Sequence, residues 1–319
     1  MAIAEVPSPD AGESLLREEV RYAQEHDLQT LSIYSPRHSR VVADGVSDPN
    51  TTSSSKIWII YIHGGAWRDP LVTSSSFVPT INRLLTSSIK SKIASYVSID
   101  YRLSAHSSFP QDSSSVPKHT YRNAKHPDHL QDICSALSYL QSKYSIEDQY
   151  LLVGHSCGAT LALQVLRGKE YARSCGILCE SLNFRLPQYF LGAAGIYDLR
   201  LLRDTHPHPA YNEFLTEAFG GDEKAWDEVS PARFPYFMGI DGKKKVLAFA
   251  TSPDDELVDD MQIDVMVKSV QSVADGMVVK NLKGILKGTH NKIWETGNLA
   301  VAIEELLCHL KSPNRDCSL

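Results

Sequence analysis

The sequence predicts an α/β fold, a mostly parallel central sheet with helices on both faces. Short apolar runs rich in β-branched and aromatic residues alternate along the chain with longer segments of helical period. The runs read as strands buried on both faces, which is the pattern of parallel sheets. The helical segments between them have the length of right-handed crossovers.

Taken in order, residues 28–34 form the first strand, and residues 56–62, rich in Ile, Trp and Tyr, the second. A helix over 77–89 leads to a strand at 93–99. Residues 127–144 are helical, with Pro127 at the start, where its missing N–H does no harm, and Leu130, Ile133, Leu137 and Leu140 on one face. A buried strand at 150–153 precedes a helix at 157–166 that Gly168 terminates. Strands follow at 190–196, 246–250 and 277–282, and helices at 259–273 and 293–310. Two stretches interrupt this order. The Ser-rich 47–55 reads as a surface loop, and the Ser-rich 104–120 is long enough to be a mobile insertion or part of a lid. Residues 197–237 carry two short helical patterns and could cap the sheet, so the whole of 1–319 reads as one domain with insertions.

Composition narrows the function classes. With 319 residues, 42% hydrophobic and 22% charged, the chain has ordinary globular character. Area scaling allows burial of ~75% of the unfolded surface. A net charge of −6 disfavours nucleic acid as a partner, and Lys243, Lys244 and Lys245, the one run of three, read as a solvated strand entry. The strongest apolar run, 57–62, is six residues long, against the ~20 that cross a bilayer. Residues 1–19 are acidic and show no secretory signal. None of the six cysteines forms a C-x-x-C pair, which speaks against a disulfide scaffold or a structural zinc and for a reduced, cytoplasmic protein.

The sharpest local signal is Gly154-His155-Ser156-Cys157-Gly158 between a buried strand and an apolar helix. A serine at such a turn stands strained above the sheet edge, with the helix N-terminus beneath it. Upstream, His63-Gly64-Gly65-Ala66-Trp67 follows another buried strand. Consecutive glycines let backbone N–H groups turn toward a reacting carbonyl. The amides of Gly65 and Ala66, with Gly64 as a further candidate, would join that of Cys157 in an oxyanion hole. His63 reads as a residue that holds the loop's shape. Trp67 is either core or an aromatic wall for substrate. His155 should pack beneath the elbow, and the Cys157 thiol should be a small buried filler.

The base should follow the last strand, and His290 in Gly288-Thr289-His290-Asn291 does. The acid should follow the strand before it, where Asp254, Asp255 and Glu256 lie together. The Asp-Glu-Leu-Val run resembles the usual acid turn, in which the Asp carries the role and the Val packs inward at the next helix start, and this resemblance selects Asp255. The competing reading of either aspartate is a helix N-cap.

Together these motifs resemble the α/β-hydrolase superfamily over about residues 28–310. His63 to Trp67, the Ser156 elbow and Thr289-His290-Asn291 are similar to fungal kynurenine formamidases. Gly195-Ile196-Tyr197-Asp198-Leu199 and Ser230-Pro231-Ala232-Arg233-Phe234 carry the same resemblance, while the Ser-rich 104–120 departs from it. The resemblance implies an α/β-hydrolase fold and a cofactor-free cytoplasmic homodimer that cleaves N-formyl-L-kynurenine in tryptophan catabolism. Ser156, His290 and Asp255 would be its triad. A carboxylesterase for short-chain or aryl esters would use the same residues. A non-catalytic binding protein of this fold would normally lack one of them, and a metal-dependent formamidase would need ligands that the sequence does not place near His290. Arg102 is a candidate for the amino-acid end of the substrate, though a structural role is its default.

Overall fold

A computed structural model describes residues 2–6, 15–36, 56–144, 146–235, 245–273 and 277–308. Among these residues nine strands form one sheet: β1 (Ala2–Val6), β2 (Leu15–Arg21), β3 (Thr30–Pro36), β4 (Ile57–Ile62), β5 (Ile93–Ile99), β6 (Tyr150–His155), β7 (Tyr189–Ala193), β8 (Val246–Ala250) and β9 (Val278–Leu282). Their spatial order is β1-β2-β3-β5-β4-β6-β7-β8-β9. From β5 to β9 every pairing is parallel, and β1, β2 and β3 extend the sheet antiparallel. The parallel part and its crossovers are as predicted. The β1–β2 hairpin is not in the prediction, because Leu-Leu-Arg-Glu-Glu-Val-Arg buries only Leu15 and Val20 and so lacks a core strand's signature.

Ten helices follow in chain order among the described residues: α1 (Val78–Leu85), α2 (Asp128–Tyr144), α3 (Cys157–Leu166), α4 (Lys169–Ser174), α5 (Leu199–Thr205), α6 (Pro209–Phe219), α7 (Glu223–Val229), α8 (Asp260–Val273), α9 (His290–Glu295) and α10 (Leu299–Cys308). The strands sort their side chains with period two. Tyr150 and Leu152 of β6 join the core on the α2 and α3 face, while Leu151 and Val153 join the core on the α1 and α10 face. All ten residues of α3 are buried, as a helix between a sheet and a further helix layer must be.

The helix predicted over 293–310 is two helices broken at Gly297, whose φ is +68°. A Cβ there would stand 2.4 Å from the Pro79 carbonyl oxygen, so the break is where α1 approaches the backbone. Lys245 is not solvated as expected. It is 2% exposed, with Nζ donating to the Pro187 carbonyl at 3.1 Å. Lys243, Lys244 and the 47–55 stretch lie outside the described residues. The Ser-rich 104–120 is hydrogen-bonded to the residues that follow it. Ser104 Oγ donates to Ala124 O at 2.8 Å, and Gln111 bonds Thr120 O and Arg122 N at 3.2 and 2.7 Å.

The strand register aligns the loops that matter. Ile62 pairs with Gly154, His155 with Ala193, and Ala250 with both Ala193 and Leu282. The chain therefore leaves β4, β6, β8 and β9 along one sheet edge. β4 lies at the point where successive connections diverge to either side, the usual place for a site in such sheets.

Candidate active site

Ser156 joins β6 to α3 with φ 55° and ψ −125°, a conformation that is costly for a residue with a side chain. The flanking glycines are required by close backbone contact. A Cβ on Gly154 would lie 2.4 Å from Ala159 N, and one on Gly158 would lie 2.2 Å from Ile62 O. The Ser156 amide donates to Ala193 O at 3.0 Å, tying the elbow to β7.

The loop after β4 is bent through three successive left-handed residues, Gly65 (φ 89°), Ala66 (49°) and Trp67 (60°). It presses on the elbow, since a Cβ on Gly64 would stand 3.0 Å from Ser156 Cβ. The Cys157 sulfur holds it from below, accepting the Trp67 N–H at 3.3 Å, with the Ala66 amide beside the same sulfur. Burial pushes this thiol up to about 11, so it stays protonated. Cys157 is thus more than the filler expected. The Tyr101 hydroxyl lies 3.1 and 3.3 Å from the His63 and Gly64 carbonyls. His63 Nδ1 is 2.9 Å from Gly64 O and its ring stacks on Tyr101 at 4.4 Å, which is the shape-holding role expected of it.

Trp67 has no exposed surface. Of the two roles the sequence allows it, this places the ring in the core, edge-on to Phe219 at 4.9 Å and tilted against Phe214 at 6.2 Å, both on α6. Next to it, Arg68 NH1 donates to Glu213 on the same helix at 2.8 Å. The loop is therefore fastened on one side to α3 and on the other to α6.

His290 is the first residue of α9, and its Nδ1 lies 3.0 and 2.9 Å from the two Asp255 carboxylate oxygens. Asp255 Oδ1 also accepts the Leu257 and Val258 amides at 3.0 and 2.9 Å. An ionised carboxylate only accepts, so Nδ1 is the donor in this contact, and Nε2 is the ring nitrogen not engaged by Asp255. Asp254 turns elsewhere, its Oδ2 3.4 Å from the Gly288 amide. The His155 ring packs 4.7 Å from that of His290, and burial, then the neighbouring His290, holds it well below the usual histidine range.

Sequence reasoning passed over Glu256, whose Oε2 accepts the His290 backbone N–H at 2.9 Å. No local motif signals that bond, which depends on two loops from adjacent strands lying side by side. Arg102 is structural. Its guanidinium meets the buried Asp132 carboxylate at 2.8 to 3.1 Å. No cluster of three or more His, Cys, Asp or Glu with metal-site geometry occurs among the described residues, and no described helix is long and apolar enough to cross a membrane.

A hydroxyl on a strained turn, an aspartate-held imidazole and a loop of unhindered amides together suit acyl transfer. The α/β hydrolase family model matches residues 59–290. A kynurenine formamidase-like hydrolase of Fusarium equiseti is 36% identical over 293 residues, covering 89% of this chain and 90% of its own. A kynurenine formamidase of Aspergillus versicolor is 33% identical over 294 residues, covering 86% and 96%. Among solved structures, an inhibited esterase B of Lactobacillus rhamnosis superposes with TM-score 0.64 at 19% identity, over 94% of this chain and 87% of its own. A thermophilic esterase of Thermogutta terrifontis gives 0.58 at 14%, over 93% and 94%. At such identities these two likenesses show the fold.

Proposed function

Because the chain belongs to the kynurenine formamidase family of the α/β hydrolases, we propose that it hydrolyses N-formyl-L-kynurenine to L-kynurenine and formate. The observation that carries this reading, beside the family, is the Asp255–His290 pair at 2.9 Å, its imidazole packed on the ring of His155, the residue before the strained Ser156.

Ser156 Oγ attacks the formyl carbon while His290 Nε2 takes its proton, and Asp255 holds the imidazole through Nδ1–H. The tetrahedral oxyanion receives N–H donors from Gly65, Ala66 and Cys157, with Gly64 as a further candidate. Loss of one such donor typically costs ~3 kcal/mol of transition-state stabilisation. The C–N bond then breaks as His290 returns the proton to the aniline nitrogen, which would otherwise be a poor leaving group. Water, deprotonated by the same imidazole, attacks the formyl ester, releasing formate and restoring Ser156. No cofactor enters these steps. The proposal extends to a cytoplasmic homodimer and to one domain in which α5 to α7 cap the site.

The test is formate release from N-formyl-L-kynurenine, with and without a chelator, against hydrolysis of a short-chain aryl ester. A large preference for the amide, lost in Ser156→Ala, is expected. A clear preference for the ester would overturn the substrate assignment.

A further inference from the structure

Glu256 stands between the acid Asp255 and Leu257, exposed at the rim, and the mechanism above gives it no part. Its Oε2 accepts the His290 backbone N–H at 2.9 Å. That amide opens α9, whose N-cap Thr289 makes no side-chain hydrogen bond. It is one of the donors that a helix start leaves open, and the acid turn fills it from across the site.

The same two loops are joined by other bonds. Ser252 Oγ donates to Gly288 O at 2.7 Å, the Leu286 amide to Thr251 O at 3.0 Å, and the Gly284 amide to Thr251 Oγ1 at 3.1 Å. Among these contacts, only the one from Glu256 ends on the residue that carries the imidazole. Asp255 grips the ring at Nδ1, and Glu256 grips the peptide. Consecutive side chains thus hold one histidine at two points, fixing where Nε2 stands relative to Ser156.

We propose that Glu256 is a positioning residue for the base, acting through the His290 backbone. The inference rests on reading His290 as the base. The property required is an acceptor oxygen at the right reach, so glutamine should serve and aspartate or alanine should not. Misplacing a catalytic group by a fraction of an ångström lowers the rate of the chemical step while leaving substrate affinity alone.

The experiment measures kcat, KM and Tm for Glu256→Gln, Glu256→Asp and Glu256→Ala on N-formyl-L-kynurenine, and kcat and KM on p-nitrophenyl acetate. Alanine and aspartate should lower kcat about tenfold on the amide, with KM within about twofold, and glutamine should restore kcat to within about threefold. Unchanged kcat in Glu256→Ala would overturn the proposal. So would equal loss in alanine and glutamine variants, which would make the charge the active property. A rise confined to KM for the zwitterionic substrate and absent with the neutral ester would make Glu256 a substrate contact instead. Ser156→Ala and His290→Ala, run alongside, report separately on the triad. Activity surviving in those two would sink the triad reading whatever Glu256 does.

Discussion

Replacing His129 by glutamine should change how the protein's stability responds to acid. His129 is the second residue of α2 and is 1% exposed. Its Nε2 lies 3.1 Å from Ser104 Oγ, whose own proton goes to Ala124 O at 2.8 Å. Ser104 must therefore accept, so the imidazole is neutral with its proton on Nε2. Burial, reinforced by the charges of His126 and Arg102, lowers its pKa to about 3. An unfolded histidine takes up a proton near 6.5. Between those values the unfolded chain binds the extra proton and the folded chain does not, so stability falls as pH drops through that window. At about 1.36 kcal/mol per unit, acidification to pH 4.5 removes roughly 2.7 kcal/mol through this one ring. A chain of 319 residues has an unfolding entropy of about 0.7 kcal/mol/K, so the loss is about 4 °C in Tm. Calorimetry of wild type and His129→Gln at pH 7.5 and 4.5 measures it. The contribution from His155 cancels in the comparison, and the variant should lose about 4 °C less on acidification. Equal losses in the two proteins would refute the argument.

Three further outcomes follow from the geometry. Asp255→Asn should lower formate release by about 10³- to 10⁴-fold, while Asp254→Asn stays within about fivefold because, among the described residues, the Asp254 carboxylate meets the Gly288 amide; the reverse result would reassign the acid. Arg102→Leu leaves the fully buried Asp132 carboxylate without its counter-charge, and chemical denaturation should show a loss of about 3–5 kcal/mol with KM unchanged. A raised KM there would return Arg102 to the substrate. Gly158→Ala would drive a Cβ to 2.2 Å from Ile62 O, and should cost upward of about 3 kcal/mol or leave no soluble protein; a wild-type Tm would contradict the packing described.

Much of this was legible because it is local. The strands Ile93–Ile99 and Val246–Ala250 and the helix Cys157–Leu166 match their predicted bounds, since each apolar run ends at a residue that changes the local pattern. The Asp255 and His290 assignments rest on strand order, and the structure brings those two side chains together. What stayed hidden depends on contacts between segments distant in sequence. The break at Gly297 exists because Pro79 is close by, and the environment of Trp67 because α6 covers it. The use of the Cys157 sulfur requires the loop after β4 to be bent above it.

That bend has a kinetic consequence. Ala66 and Trp67 sit in a backbone region that costs of order 1–3 kcal/mol per residue, and they are kept there by a sulfur beneath and two phenylalanines above. A loop already folded into its working shape has nothing left to rearrange when a substrate arrives, so turnover should begin without a lag. Phe214 and Phe219 bear on that loop through the Trp67 ring. Trimming either should slow the first turnover, as a loosened latch lets the loop recoil.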